Sequence, residues 1–171
     1  MPPAQGIIVT MRHRRLPRID LPSHTYYLTC CLHNRRPLLR TDQLAEHLIA
    51  LYADRRDQRA ILLHGYVVMP DHYHLLLTLR EEPSVSGVVR KVHSLFAAHC
   101  RRRVGLRGRI WQRRFYDHVV REESDWHTKL AYMHGNPVRA GLVNVATDYT
   151  WSSAVFWETR TGPVACDGIT W

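Results

Sequence analysis

The sequence lacks several features that would place it in familiar classes of protein. No stretch approaches the roughly 20 consecutive apolar residues of a membrane helix, and residues 1–20 lack the apolar region of a signal peptide. None of the four cysteines belongs to a Cys-x-x-Cys pair, and no internal repeat or low-complexity segment is visible. We therefore expect a soluble, cytoplasmic protein with reduced thiols, and neither a membrane protein nor a zinc-storage protein.

Lysine is scarce, although the chain is strongly basic. Only Lys91 and Lys129 are lysine among 24 lysine and arginine residues, and the formal net charge is +9 at pH 7. Clustered cations gain affinity for polyanions by releasing counterions from phosphates. Because GC-rich genomes also favour arginine codons, the sign of the charge is more informative than the choice of arginine. The charge predicts a nucleic-acid partner in preference to a membrane surface, since no helix combines a basic face with a broad aromatic face.

The length of 171 residues fits one domain with short tails. Residues 1–20 contain four arginines among prolines and a glycine, which predicts a basic, weakly structured arm. The folded domain is predicted at residues 21–153 and a C-terminal tail at residues 154–171. Beyond Trp151 the periodicity is weak and predicts no particular element.

Hydrophobic periodicity predicts alternating strands and helices between these tails. Residues 24–32 are rich in aromatic and β-branched side chains, which favours a strand, and Asp42 is expected to cap a helix that ends near Arg59. The strand-like runs 61–69 and 72–79 are separated by two residues, which is hairpin spacing. The remaining elements are a helix capped by Ser84, a strand at 110–120, and a last helix capped by Ser124 or Asp125 and closed by Gly135 and Pro137.

This order of elements, β-α-β-β-α-β, is that of the ferredoxin-like arrangement. We therefore predict an α+β fold, with an antiparallel sheet, helices on one face and a further C-terminal helix. Strands that alternate with single helices are not typical of helix-turn-helix proteins that read duplex DNA.

Two histidines alternate on the second strand of the predicted hairpin. His72 and His74 then project from one face of the sheet, while Tyr73 projects from the other. Two imidazoles on one face can chelate a divalent cation if a neighbouring element supplies a third ligand. A His-x-His pair alone is more often structural in a chain with 12 histidines.

A tyrosine and an asparagine near the end of the last helix form a second pattern. Tyr132 and Asn136 are four residues apart, so they share a helix face that differs from the stripe of Trp126, Leu130 and Met133. A tyrosine one turn from an amide that can ligate a metal is a candidate nucleophile beside a cation. The structural alternative is a partly buried tyrosine near the end of a helix.

Three stretches of the chain together resemble the REP-associated tyrosine transposases, relatives of the small single-strand transposases among the HUH endonucleases. They are VVMPDHYHLLL at 67–77, GRIWQRRFYDHVV at 108–120 and YMHGNPVRAGLV at 132–143, with WSS at 151–153 beyond them. The resemblance covers about residues 22–153. The chain departs from the family pattern before the first strand, where Pro22-Ser23-His24 stands in place of a frequent glycine pair, and this bears on the DNA hairpin recognised.

The resemblance implies a site and a reaction. His72 and His74 would be the histidine pair of the HUH motif, with Asn136 as third ligand of Mg²⁺ or Mn²⁺ and Tyr132 as nucleophile. The protein would be a metal-dependent endonuclease and strand transferase that acts on single-stranded DNA, at REP-type palindromic hairpins, and forms a 5′-phosphotyrosine. The alternative is a non-catalytic DNA-binding protein derived from a transposase. The presence of all four residues favours the enzyme, and both a monomer and a homodimer are compatible with the sequence.

Other residues are candidates for supporting roles. Tyr116 is a rival nucleophile because Arg113 and Arg114 lie close to it in the sequence, but we prefer it as a core or DNA-stacking residue. A phenol has an ordinary pKa near ~10, so some group must stabilise its anion, and Lys129 lies three residues before Tyr132 on the same side of the helix. Lys129 could equally be a solvated lysine. The candidate phosphate contacts are Lys91, Arg101, Arg102, Arg103, Arg113, Arg114 and Arg139.

Overall fold

The structure is a computed structural model that describes residues 23–169. The predicted N-terminal arm, residues 1–20, lies outside the described residues. Four strands form one antiparallel sheet in the order β2-β3-β1-β4, as the ferredoxin-like arrangement requires. The strands are β1 (Thr25–Cys31), β2 (Ile61–Met69), β3 (His72–Leu79) and β4 (Tyr116–Val120). The predicted α+β class and antiparallel sheet are confirmed.

The helices lie on both faces of this sheet. The long helices α1 (Asp42–Asp57) and α2 (Val85–Arg103) bury their apolar stripes with Tyr73, Leu75 and Leu77 of β3 in the main core. Helix α3 (Glu123–His134) packs on the opposite face against a smaller cluster that includes Leu76. Two short helices follow, α4 (Asn136–Arg139) and α5 (Ala154–Thr159). No helix in residues 23–169 is long and apolar enough to cross a membrane.

Close contact between α3 and the sheet depends on Gly65 of β2. The register of β2 against β3 shifts between Leu63 and Gly65, so the strand carries an irregularity there. A Cβ atom at position 65 would lie 2.7 Å from both Leu130 Cδ1 and Met133 Cε of α3. Glycine therefore lets α3 sit directly on the strand, which brings the end of the helix over the neighbouring strand β3.

Several predicted boundaries differ from the structure. The single strand predicted at 110–120 is wrong, because Trp111 makes only an isolated bridge to Leu32 and regular pairing begins at Tyr116. Trp111 instead stacks on the imidazole of His93 at 3.9 Å between ring centroids, and the chain leaves the sheet at 112–115.

The predicted helix caps are right in one case and wrong in two. Ser84 caps α2, since its Oγ accepts a hydrogen bond from the backbone N of Gly87 at 2.9 Å. Asp42 does not cap α1, because the helix begins at Asp42 and its cap position is Thr41, and the Asp42 carboxylate instead accepts a hydrogen bond from Trp151 Nε1 at 2.8 Å. Helix α3 begins at Glu123, earlier than a cap at 124 or 125 would place it, and has no side-chain cap.

The segment after residue 150, which the sequence left unassigned, covers the outer edge of β2. Backbone hydrogen bonds run from Val68 N to Trp151 O at 2.8 Å and from Asp167 N to Leu63 O at 2.7 Å. The side chain of Cys166 is buried in the main core. The described part of the predicted tail, residues 154–169, is therefore packed on the domain and satisfies backbone groups of an edge strand.

Candidate active site

The four residues singled out as nucleophile and metal ligands meet in one cleft between β3 and α3. The cleft has a volume of about 490 Å³. Strand β3 supplies the two histidines, α3 supplies the tyrosine, and α4 supplies the asparagine. The lining residues are Tyr27, Thr29, Arg35, His72, His74, Tyr116, Thr128, Lys129, Tyr132 and Asn136.

Alternation along β3 separates the two histidines from the tyrosine between them. Tyr73 is fully buried on the α1 and α2 face, where its hydroxyl contacts Tyr52 Oη and His93 Nε2, each at 2.7 Å. His72 and His74 face the cleft with ring centroids 4.9 Å apart and planes at 87°. The predicted alternation of residues 72–74 between the two faces of the sheet is confirmed.

Each histidine has its Nδ1 atom engaged by a neighbour. Asp71 Oδ1 lies 2.6 Å from Nδ1 of His72. The hydroxyls of Tyr27 and Thr29 lie 2.9 and 2.8 Å from Nδ1 of His74. A partner at Nδ1 fixes the orientation of the ring and leaves Nε2 as the coordinating atom, which is how metal-binding histidines are commonly held.

Burial keeps the inner histidine neutral. Desolvation by burial, with a smaller electrostatic contribution from the neighbouring His72, lowers the pKa of His74 to about 3. Its imidazole therefore remains unprotonated at neutral pH, which is the state that can bind a cation.

Tyr132 presents its phenol to the cleft from the last turn of α3. Its side chain is 51% exposed, and its ring meets Tyr27 and His74 edge-on at 6.4 and 6.3 Å between centroids. No hydrogen bond from residues 23–169 holds its hydroxyl. A phenol that is exposed beside two histidines is accessible to a substrate phosphate.

Asn136 completes the set at the start of α4. The prediction that it shares the last helix with Tyr132 is wrong, because α3 ends at His134 and Gly135 separates the two helices. Its Oδ1 accepts a hydrogen bond from Arg139 Nη2 at 2.9 Å. Its Nδ2 is buried and, among the described residues, has no hydrogen-bond partner. An amide with one orphaned polar atom at the edge of the cleft has an incomplete set of contacts in the protein alone.

The donor atoms at the cleft are of types that a divalent cation accepts. No group of three His, Cys, Asp or Glu side chains in the described part of the chain could hold a metal ion. The candidate set therefore depends on two imidazole nitrogens and one amide oxygen. Such a mixed set suits a first-row divalent ion and leaves coordination positions for water or a phosphate oxygen.

Two further side chains in the cleft were candidates for supporting roles. Lys129 Nζ lies 5.7 Å from the ring centroid of Tyr27 and 3.8 Å from Asp125 Oδ1, so the cation is held at the wall of the cleft. Tyr116 is half-exposed and lines the same cleft, which corrects the suggestion that it is a core residue.

The predicted phosphate contacts do not form one cluster. Arg113 and Arg114 line a second groove of about 580 Å³, between α2 and residues 109–115, together with Arg90 and Arg101. Arg139 lies over the ring of Tyr132, next to the first cleft but not among its lining residues. The others, Lys91, Arg102 and Arg103, are exposed along α2.

Sequence reasoning missed the residues that surround the histidines. Asp71 immediately precedes His72, so its contact was within reach of a local argument. Thr29 reaches His74 because the two are paired across β1 and β3, and that register is visible only in the folded sheet. Arg35, which lies 3.4 Å from Asp71 Oδ2, follows β1 in a short turn that no pattern marked.

Comparisons with known proteins show which proteins the chain resembles. The family of transposases described as IS200-like matches residues 20–136. A REP-associated tyrosine transposase of Escherichia coli (strain K12) is 33% identical over 137 residues, which is 80% of this chain and 79% of the relative. The solved structure of a REP-associated tyrosine transposase bound to a REP hairpin matches with a TM-score of 0.72 and 28% identity, over 91% of this chain and 92% of the other.

Proposed function

The chain belongs to the IS200-like transposases and, among them, to the REP-associated tyrosine transposases, and we propose that it cuts and rejoins single-stranded DNA through Tyr132. The observation that supports this most strongly is the meeting of His72, His74, Tyr132 and Asn136 in one cleft. These residues come from two separate segments of the sequence, and the retained set argues against a protein that only binds DNA.

His72, His74 and Asn136 are the residues that would hold Mg²⁺ or Mn²⁺. When bound, the ion supplies Lewis-acid polarisation of the scissile phosphate. Asp71, Tyr27 and Thr29 hold the two imidazoles by their Nδ1 atoms, so the direction of each Nε2 is fixed before substrate arrives.

Tyr132 is the nucleophile in this proposal. Its phenolic oxygen forms a bond to phosphorus as the bond between phosphorus and the 3′ oxygen breaks, which leaves a 5′-phosphotyrosine and a free 3′-hydroxyl. The phenol loses its proton and the departing 3′ oxygen gains one. Attack by another 3′-hydroxyl on the phosphotyrosine releases Tyr132 and joins strands without ATP.

Lys129 is suited to stabilise the negative charge that forms near Tyr132. Its ammonium is held at the cleft wall by Asp125 and lies over Tyr27, whose ring in turn contacts Tyr132. A fixed cation beside developing negative charge stabilises a transition state without reorganising at the moment of reaction.

A DNA hairpin of the REP type is the proposed substrate. The structural relative was solved bound to a REP hairpin. The groove lined by Arg90, Arg101, Arg113 and Arg114 offers guanidinium groups for phosphates, and its loop leads directly into Tyr116 of the active-site cleft. We propose that the hairpin backbone follows this groove and delivers its single-stranded flank to Tyr132.

The test compares two tyrosines that line the same cleft and are equally exposed. Purified protein is incubated with labelled single-stranded REP-type hairpins and Mn²⁺, and covalent adducts are resolved on a denaturing gel. Tyr132→Phe should abolish the adduct, because it removes the proposed nucleophilic oxygen. It should change the Kd for the hairpin by no more than about twofold, because the side chain is 51% exposed and loses only one atom. Tyr116→Phe is the matched control and should still form the adduct.

Adduct formation by Tyr132→Phe at the parent rate would disprove the assignment of the nucleophile. Tight hairpin binding by the parent protein without any adduct, over a range of flanking sequences, would support the DNA-binding alternative. An adduct that forms equally well in EDTA would exclude the metal role of the histidines.

A further inference from the structure

One arginine joins the proposed nucleophile to the proposed third ligand. The guanidinium carbon of Arg139 lies 4.5 Å from the ring centroid of Tyr132, stacked over its face. The same guanidinium donates hydrogen bonds to the backbone carbonyl of Tyr132 and to Oδ1 of Asn136. Arg139 therefore contacts both groups without itself lining the cleft where they meet.

Gly135 provides the space for this arginine. A Cβ atom at position 135 would lie 2.5 Å from Arg139 Nη1 and 3.4 Å from its Cζ. The backbone of Gly135 has φ −75° and ψ −10°, which every residue adopts readily, so conformation does not require a glycine here. Glycine is needed for the close approach of the side chain. An alanine would displace the end of a flexible arginine, and its Cβ would also lie 3.3 Å from the backbone oxygen of Ala131, a smaller conflict than the 2.5 Å contact with the guanidinium.

We propose that Arg139 is a positioning residue that sets the direction of the Tyr132 phenol and the orientation of the Asn136 amide together. This inference rests on the proposed function. The Arg139–Gly135 pair is hereafter called the clamp.

The clamp acts on the tyrosine by restricting its ring. Tyr132 is half-exposed, and its remaining ring contacts are edge-on, to Tyr27 and His74. A planar guanidinium that stacks on the open face limits the rotation of the side chain. The phenolic oxygen is then held in one direction, and misplacement of a reacting group by about 1 Å can reduce a rate by about 100-fold.

The clamp acts on the asparagine by selecting one end of its amide. A guanidinium has donors only, so it bonds Oδ1 and not Nδ2. The oxygen has a second lone pair, which remains for another partner. Arg139 thus keeps the amide oxygen, the atom that can bind a cation, at a defined place next to the tyrosine.

The experiment compares Arg139→Gln, Gly135→Ala and the double variant with the parent protein. Two quantities are measured with the hairpin substrate: the equilibrium Kd, and the single-turnover rate of adduct formation at saturating DNA. Arg139→Gln should lower the rate by roughly 10- to 100-fold and change Kd by less than about threefold. Gly135→Ala should lower the rate in the same way, and the double variant should be no slower than Arg139→Gln alone.

Arg80→Gln is the control for loss of one positive charge. Arg80 is exposed and follows Leu79, so it lies beyond the opposite end of β3 from His72. Its rate at saturating DNA should equal that of the parent. A loss in Arg139→Gln that appears only in Kd would overturn the proposal and make Arg139 a phosphate contact. Losses that multiply in the double variant would also overturn it, because the two residues would then act independently.

A second readout does not depend on activity. The ring signals of ¹³C-labelled tyrosine are recorded by NMR, and Tyr132 is assigned by the signal missing in Tyr132→Phe. Arg139→Gln and Gly135→Ala should shift this signal and lower its order parameter equally, and unchanged signals would refute the clamp. Absence of any adduct in the parent protein would refute the proposed function, while the ring signal would still test the clamp.

Discussion

The two faces of the sheet place neighbouring residues of strand β3 in different surroundings. On the α1 and α2 face, Tyr73 belongs to a cluster of 28 buried side chains among the described residues. On the α3 face, the corresponding cluster has eight buried side chains, and His72 and His74 open onto a cleft. The larger cluster supplies most of the apolar burial, and the smaller one leaves room for substrate. Because the side chains of β3 alternate between the two faces, one face contributes mainly to stability and the other holds the residues of the proposed reaction.

The strongest test of this division is removal of a histidine from the α3 face. His72→Ala or His74→Ala should abolish cleavage that depends on Mn²⁺, because the proposed cation loses one of only two imidazole ligands. Cleavage of labelled hairpin is measured with and without EDTA, and circular dichroism checks that the fold is retained. Full metal-dependent cleavage by both variants would contradict the separation of roles.

Acid should lower the free energy of unfolding through both faces, because each holds a neutral histidine that is largely shielded from solvent. Burial lowers the pKa of His93 to about 3 on the α2 face and that of His134 to about 4 on α3. The unfolded chain takes up these protons near pH 6.5, whereas the folded protein does not. The free energy of unfolding is therefore highest above pH 6.5 and falls as the pH is lowered towards 4. The fall is up to about 1.4 kcal/mol per pH unit for each imidazole.

Urea unfolding at pH 7.5, 6 and 5 measures this loss. His134→Asn should show a shallower decline between pH 7.5 and 5 than the parent, since one protonation step is removed. A free energy of unfolding that is constant over this range would contradict the burial argument.

Asp71, which contacts His72, allows a further test of how the cleft holds its proposed metal ligands. Asp71→Asn keeps the size of the side chain but removes the charge that lies 2.6 Å from His72 Nδ1. Loss of such a partner typically weakens metal binding by about 10- to 100-fold. The concentration of Mn²⁺ required for half-maximal adduct formation should rise accordingly. An unchanged Mn²⁺ dependence would show that Asp71 does not support the ligand.

Substitution of Tyr73, the residue between the two histidines, should have the smallest effect. It should lower stability and leave the adduct rate unchanged. Tyr73→Phe removes a buried hydroxyl that contacts Tyr52 and His93. The free energy of unfolding should fall by about 1–3 kcal/mol, because buried polar partners are left unsatisfied. The adduct rate per folded molecule should not change. A large drop in that rate with normal stability would mean that the two faces are coupled.

Local patterns predicted the parts of this fold that depend on neighbours in the chain. The hairpin of β2 and β3 has the bounds expected from two strand-like runs, and Ser84 caps α2 as expected. The interruption before β4 was missed, because Trp111 is held by stacking on His93, which is 18 positions away. The edge cover of β2 was missed because backbone hydrogen bonds from residues 151–167 leave no periodic signal.

The sequence alone determined the residues available to this protein: a pair of histidines on one strand face, which follows from the period of a strand, and a tyrosine four positions before an asparagine. Only the tertiary structure decided that these pairs meet in one cleft. It also decided that Thr29 and Tyr27 hold His74, and that Gly135 admits Arg139 to the ring of Tyr132. Strand register and close approach depend on residues far apart in the chain, so the periodicity of one segment cannot specify them.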